Sequence, residues 1–161
     1  MTDRIHLDRL PPGPQREELL PILLLADEPQ PLGDYLQLGD RYVCRDADGA
    51  VVGATHVMPT AEAETWELRA VAVAAERQRQ GWGKRMLAAV LDALGARGGR
   101  RVIVGTSNAG IGAIAFYQKA GFRLWRIERD YFTPQRGYDP DEREHGLPHR
   151  DMVWFDRELT G

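Results

Sequence analysis

The chain has 161 residues, 43% of them hydrophobic and 28% charged, with 21 basic side chains against 24 acidic ones and a net charge of −3. That length holds about one domain and can bury a core without metal or disulfide staples. The acidic balance argues against a nucleic-acid or membrane-surface binder, the single cysteine, Cys44, excludes an intrachain disulfide and a Cys-rich zinc site, and no apolar run approaches the ~20 residues of a membrane span. In chain order, residues 1–14 end in Pro11-Pro12-Gly13-Pro14 and read as an arm without regular structure. They show no signal-peptide core, so a soluble cytoplasmic protein is expected. Pro14 opens a helix expected over residues 15–25, with Glu17 and Glu18 at its positive end. Residues 27–33 hold two prolines and a glycine and read as a loop.

Residues 41–45 and 51–58 read as two strands around Asp46-Ala47-Asp48-Gly49, whose Asp-Gly step is a hairpin signal. Residues 64–74 alternate, with Trp66, Leu68, Ala70 and Ala72 on one face and Glu67, Arg69, Val71 and Val73 on the other. Trp82, Met86, Leu87, Val90, Leu91 and Leu94 then recur at helical spacing, predicting an amphipathic helix over residues 80–96 that Gly98-Gly99 ends. Residues 101–105 form a short buried strand. Residues 111–120 form a further helix, for which Gly121 is a fitting stop. Residues 122–132 read as a long strand, 133–149 as a long polar loop, and 151–156 as a final apolar strand that could complete its own sheet or pair across a homodimer. Helices after the third and fourth of these strands favour a mixed α/β sheet covered by helices, in one domain over residues 1–161.

The stretch Gln78-Arg79-Gln80-Gly81-Trp82-Gly83 lies between a strand and a helix. Glycines there let a ligand approach the backbone, and the free amides of the helix's first turn would face it with the dipole's partial positive charge. The residues by themselves also fit a plain tight turn. Gly83-Lys84-Arg85 lacks the Ser/Thr of a Walker A loop, and Met86 stands where a dinucleotide fingerprint needs its third glycine.

Taken in order, Glu67-Leu68-Arg69-Ala70-Val71-Ala72-Val73, then Gln78-x-x-Gly81-x-Gly83, then Phe116-Tyr117-Gln118-Lys119-Ala120-Gly121-Phe122 resembles the GCN5-related N-acetyltransferase superfamily over residues 40–130. The resemblance implies a mostly antiparallel central sheet that splays after its fourth strand, with acetyl-CoA as cosubstrate, no metal, and acetyl transfer to a primary amine. It assigns Val71, Ala72 and Val73 to backbone pairing with the pantetheine arm. Gln78, Arg79, Gln80, Gly81, Trp82 and Gly83, with Lys84 and Arg85 just inside the helix, match the pyrophosphate loop. Tyr117 takes the position of the family's general acid, which would protonate the departing thiolate. Glu67, fourteen residues before Gly81, takes a general-base position used by some members. The family's asparagine seven residues before the tyrosine is absent, since Gly110 stands there. Asn108, nine before, is expected to reach the cofactor across a longer turn or else to cap the helix.

Other features stay open at this level. His56 reads as a packed or exposed strand histidine, or else faces the acceptor pocket. Tyr131, Phe132, Tyr138 and Trp154 line an acceptor pocket or fill the core. Asp139, Asp141, Glu142 and Glu144 attract a cationic amine or are simply solvated. A small-molecule amine is the expected acceptor, and a non-catalytic CoA-binding module is the alternative.

Overall fold

The computed structural model describes residues 5–11, 19–27 and 38–159. The first part of the expected N-terminal helix (residues 15–18) and most of the loop that follows it (28–33) lie outside the described residues. The elements are β1 (His6–Leu10), a short helix α1 (Leu20–Leu23), β2 (Asp40–Arg45), β3 (Val51–Pro59), β4 (Thr65–Val73), α2 (Trp82–Ala96), β5 (Arg101–Ser107), α3 (Ile111–Lys119), β6 (Arg123–Glu128), β7 (Arg143–Glu144), β8 (Leu147–Pro148) and β9 (Met152–Glu158). Single 3-10 turns sit at Ala75–Arg77 and Pro134–Arg136.

Seven strands form one sheet in the order β1-β2-β3-β4-β5-β9-β6, antiparallel throughout except between β4 and β5. A parallel neighbour needs a long crossover, and α2 supplies it. The larger apolar cluster fills one face of the sheet, where Trp82, Met86, Leu87, Val90, Leu91 and Leu94 of α2 meet Tyr42, Val57, Leu68 and Phe155. A smaller cluster covers the other face, with Leu19 and Leu23 on Val43, Ala54 and Ala70. Among the described residues no helix is long and apolar enough to cross a membrane.

Both main helices stop as their glycines suggest. Gly98 has φ +87, Gly98 N–H donates to Gly95 and Gly99 N–H donates to Leu94, a Schellman pair. At the end of α3, Gly121 has φ +91, Gly121 N–H donates to Gln118 and Phe122 N–H donates to Tyr117. The same motif thus ends both helices.

Two expectations are corrected and one open alternative is decided. Residues 6–10 are not an irregular arm but β1, paired with β2 from His6↔Arg45 to Leu10↔Arg41. Five residues with two half-buried leucines and a proline next to them carry too little pattern to read as a strand, and pairing comes from β2. The alternative left open for the final strand is decided for its own sheet: β9 lies between β5 and β6, and the edge on that side is β6, where Leu124, Trp125 and Ile127 are exposed. Residues 133–149 are not a featureless loop. They contain the β7–β8 hairpin, whose central His145 and Gly146 have φ +53 and +75, the left-handed pair a two-residue turn demands.

Candidate active site

The site begins with one extra residue. On β3 His56 pairs with Ala70 and the next residue, Val57, pairs with Leu68, so Arg69 is the extra residue of a bulge. The bulge breaks the strict alternation expected for this strand. Trp66 and Leu68 face the larger cluster, but after Arg69 it is Val71 and Val73 that face it, while Ala70 turns to the smaller one. The parallel pairing of β4 with β5 runs from Thr65↔Arg101 to Leu68↔Val104 and ends at that point. Beyond it no ladder joins residues 69–73 of β4 to 105–107 of β5, which leaves a gap in the sheet's hydrogen bonding there. Ala74 N–H donates to Val52 on the β3 side. By alternation the backbone groups of Val71 and Val73 therefore point into the gap, whereas those of Ala72 point to β3. The Val73 carbonyl is already met by Gln78 Nε2 at 3.1 Å.

At the mouth of the gap stands the start of α2. Arg79 and Gly81 both have left-handed backbone, φ +63 and +83. A Cβ on Gly81 would meet nothing, so φ and not crowding calls for glycine there. Gly81 is the N-cap and no side chain caps the helix. The amides of Trp82, Gly83 and Lys84 open the helix without an intrahelical acceptor, and the ladder begins with Arg85 N–H on the Gly81 carbonyl at 3.3 Å. Gln78, Arg79, Gln80 and Lys84 are exposed around this turn. The Trp82 side chain belongs to the core, 5% exposed, with the Arg85 guanidinium 4.6 Å over its ring. Only its amide serves the turn. Gly83 sits against Val73 and Phe116, which ties this turn to β4 and α3.

Tyr117 is packed edge-on against Phe116 and Phe122 and tilted against Phe155, with centroids 5.2, 5.7 and 5.9 Å away. Its contact with Phe122 is the apolar partner of the Schellman stop, which is one physical reason for the Tyr-x-Lys-x-Gly-Phe ending. Burial pushes the phenol well above the usual range, so it stays a protonated donor. Among the described residues its hydroxyl has no hydrogen-bond partner. Glu67, half-buried on β4, pairs with Arg69 Nε at 3.3 Å. Burial raises its carboxyl above the ordinary value, with Arg69 pulling the other way.

Asn108 is tied to the segment before β9. Its Oδ1 accepts the amides of Arg150 and Asp151, both at 2.9 Å, and its Nδ2 donates to the Pro148 carbonyl at 3.2 Å. No side chain caps α3; the Asn108 side chain clamps the turn between β8 and β9.

Beside the gap, on the face that carries α1, lies a cavity of about 350 Å³. Gly105, Thr106 and Ser107 of β5 form one wall, Arg69 of the bulge another, and Leu24–Asp27 a third. Phe132, Tyr138, Glu142, Glu144 and His149 close it from the 131–149 segment. Of the four aromatic candidates Phe132 and Tyr138 line it, 4.8 Å apart, while Tyr131 packs between Phe132 and Arg136 outside the lining and Trp154 is buried elsewhere. His56 is fully buried in β3. Tyr138 donates to Asp27 Oδ1 at 2.9 Å and joins the segment to the turn after α1. Burial and the Asp27 carboxylate drive its phenol upward. Three carboxylates, Asp27, Glu142 and Glu144, face one guanidinium and one imidazole here. Sequence reading assigned no site role to Asp27, Arg69 or Ser107: Asp27 and Ser107 sit in no motif, Arg69 lies in the strand motif only as a neighbour of Glu67, and only the fold brings the three together.

Comparison with known proteins agrees with this geometry. Residues 8–122 match the Acetyltransferase (GNAT) family. The chain is 33% identical over 138 residues to the "Uncharacterized N-acetyltransferase YvbK" of Bacillus subtilis (strain 168), covering 85% of this chain and 86% of that protein. It resembles a crystal structure of a Bacillus subtilis acetyltransferase in complex with CoA, with a TM-score of 0.83 and 31% identity over 99% of this chain and 100% of that one. A GNAT family acetyltransferase from Elizabethkingia anophelis with acetyl-CoA bound gives a TM-score of 0.83 and 29% identity over 96% and 98% of the two chains.

Proposed function

The chain belongs to the GNAT acetyltransferase family and is an acetyl-CoA-dependent N-acetyltransferase; we propose that its acceptor is the primary amine of a small, cationic molecule. The observation that carries the acceptor class is the cavity beside the strand gap. Its volume of about 350 Å³ suits a small molecule. Its three carboxylates against one guanidinium favour a positively charged guest, and Phe132 and Tyr138 offer an apolar wall for the guest's carbon skeleton.

The roles follow from position. The free amides of Trp82, Gly83 and Lys84, with Gln78, Arg79, Gln80, Gly81 and Arg85 around them, hold the pyrophosphate of acetyl-CoA. Val71, Ala72 and Val73 form the strand edge along which the pantetheine arm lies, and the inward-facing backbone of Val71 and Val73 bonds it. Amides on this edge polarise the thioester carbonyl. Holding amine and thioester in one gap turns a bimolecular attack into a local one. Glu67 takes a proton from the nitrogen as the C–N bond forms, for which its raised proton affinity fits. Tyr117, kept protonated by burial, gives its proton to the leaving thiolate.

Calorimetric titration with acetyl-CoA, CoA and ATP tests the cradle, and thiol release against a panel of amines tests the acceptor. Acetyl-CoA binding with turnover of small cationic amines is expected. Turnover of only neutral or protein amines would refute the acceptor class, and binding without any turnover would leave a CoA-binding module.

A further inference from the structure

Acylating an ammonium removes two protons from nitrogen, one before attack and one from the tetrahedral adduct, and only one is returned, to sulfur. Glu67 serves the second removal. It does not line the cavity in which the ammonium waits. Another set of groups does. Ser107 Oγ lies 2.6 Å from His149 Nδ1, and His149 Nε2 lies 3.7 Å from Glu144 Oε2. All three residues line the cavity wall. They come from the end of β5, the turn before β9 and the β7–β8 hairpin, so only the fold unites them.

We infer that Ser107, His149 and Glu144 form a proton relay that neutralises the acceptor ammonium before attack. The inference rests on the amine-transfer reading above. Hydrogen-bond valence supports the direction. Ser107 Oγ accepts the Ala109 N–H at 3.1 Å. Its own proton then points to His149 Nδ1, which leaves one lone pair for an incoming N–H. The Glu144 carboxylate beside Nε2 favours a proton on that nitrogen, so Nδ1 is the basic one. In the step, an N–H bond of the ammonium breaks toward Ser107 Oγ as the serine O–H proton passes to Nδ1. The products are a neutral amine and an imidazolium facing Glu144. No other co-reactant is needed, and the imidazolium later returns its proton to solvent.

The surroundings hold the relay in place. The Asn108 side chain fixes the backbone on both sides of His149 through Pro148, Arg150 and Asp151. The Phe132 ring stands 6.0 Å from the imidazole. His145 Nδ1 meets the Ala109 carbonyl at 3.2 Å and pins the hairpin that carries Glu144. The titratable and charged groups facing the imidazole across the cavity are Glu142 and Glu144 from the hairpin segment, Asp27 from the turn after α1, Tyr138 from the overlying segment and Arg69 from β4.

The test compares Ser107→Ala, His149→Gln, His149→Ala and Glu144→Gln with the unaltered protein, using butylamine and 1,4-diaminobutane as acceptors across a pH series. Near neutral pH kcat should fall by roughly 100-fold in the serine and histidine variants, within the usual range for a lost proton acceptor, and less in Glu144→Gln. Acetyl-CoA affinity should not change. The deficit should shrink as pH rises toward the amine's own pKa, because the amine then arrives neutral. Added imidazole should restore part of the activity of His149→Ala. A deficit that is the same at every pH, or no deficit, would overturn the relay alone. A parallel fall in acetyl-CoA affinity or melting temperature in both Ser107→Ala and His149→Gln would reduce the cluster to a structural clamp and overturn it as well. Absence of turnover in the unaltered protein would instead overturn the amine-transfer reading on which the relay rests.

Discussion

Replacing Asn108 by alanine separates two accounts of that residue. In the structure its side chain makes three hydrogen bonds, two accepted from the amides of Arg150 and Asp151 and one donated to Pro148. Asn108→Ala leaves two backbone donors and one acceptor without a protein partner, and Arg150 is exposed enough for water to replace part of the loss. At about 1 kcal/mol per hydrogen bond the cost is roughly 2–3 kcal/mol. For a chain of this size that lowers the melting temperature by roughly 5–10 °C. Phe132 N–H also donates to the Arg150 carbonyl, so the loosened turn feeds directly into the cavity wall. The expected pattern is a lower melting temperature and a raised KM for the acceptor amine, with acetyl-CoA affinity unchanged. Thermal denaturation, calorimetry and steady-state kinetics on one preparation read all three. A variant that melts normally but binds acetyl-CoA ten or more times more weakly, a loss of about 1.4 kcal/mol or more, would refute the clamp and restore a cofactor contact.

The other residues give sharper signs. Tyr117→Phe should lower kcat by roughly 100-fold with acetyl-CoA affinity and melting temperature preserved, because the ring contacts with Phe116, Phe122 and Phe155 remain; a normal kcat would leave Tyr117 a packing residue. Glu67 has a folded-state pKa raised by burial, so the folded chain holds that proton to higher pH than the unfolded chain, and stability is lost as pH rises from the unfolded to the folded pKa. Glu67→Gln should therefore raise the melting temperature at neutral pH while lowering kcat and removing the acidic limb of the pH profile; a lower melting temperature would show that the Arg69 pairing outweighs burial. Gly81→Ala places a Cβ on a left-handed residue in open space, which costs about 1–2 kcal/mol of strain. Calorimetry should register that cost as weaker acetyl-CoA binding as well as a lower melting temperature, and unchanged acetyl-CoA affinity would show that this backbone turn does not shape the cradle.

Much of the frame was legible in the sequence because it depends on local chemistry. The spacing from Trp82 to Leu94 and the glycines at 98 and 121 set both helices and their ends, and each stop is made by hydrogen bonds within six residues. Asp46 to Gly49 turned the chain as read, with the Asp46 carboxylate accepting the amides of Asp48 and Ala50 at 2.9 and 3.0 Å. The parts that were not legible depend on partners far away in sequence. β1 exists because β2 offers it an edge. The β7–β8 hairpin is held by His145 reaching Ala109, 36 residues away. Tyr138 lines a cavity because it reaches Asp27, 111 residues away. Such contacts leave no periodic trace in the chain that makes them.

The bulge at Arg69 shows how one such non-local feature organises the whole site. A strand with unbroken alternation would keep Ala70 and Ala72 on the face of Leu68, and Val71 and Val73 on the face of Glu67. The extra residue reverses this, so the two valines anchor the far half of β4 to α2 and place their backbone groups along the open edge. It also marks where β4 and β5 part, since their pairing ends at Leu68↔Val104. Arg69 itself is thereby placed at the cavity wall, 3.3 Å from Glu67. Strand edge, gap and the proposed acceptor cavity thus meet at a single residue, the extra one in the β3–β4 register. A bulge at this place increases twist and re-aims side chains, which is the general use of bulges beside active sites. On the assignment proposed above, the cosubstrate side and the acceptor side of the reaction are two halves of the same strand, divided at residue 69, and the geometry that would bring amine to thioester follows from that division.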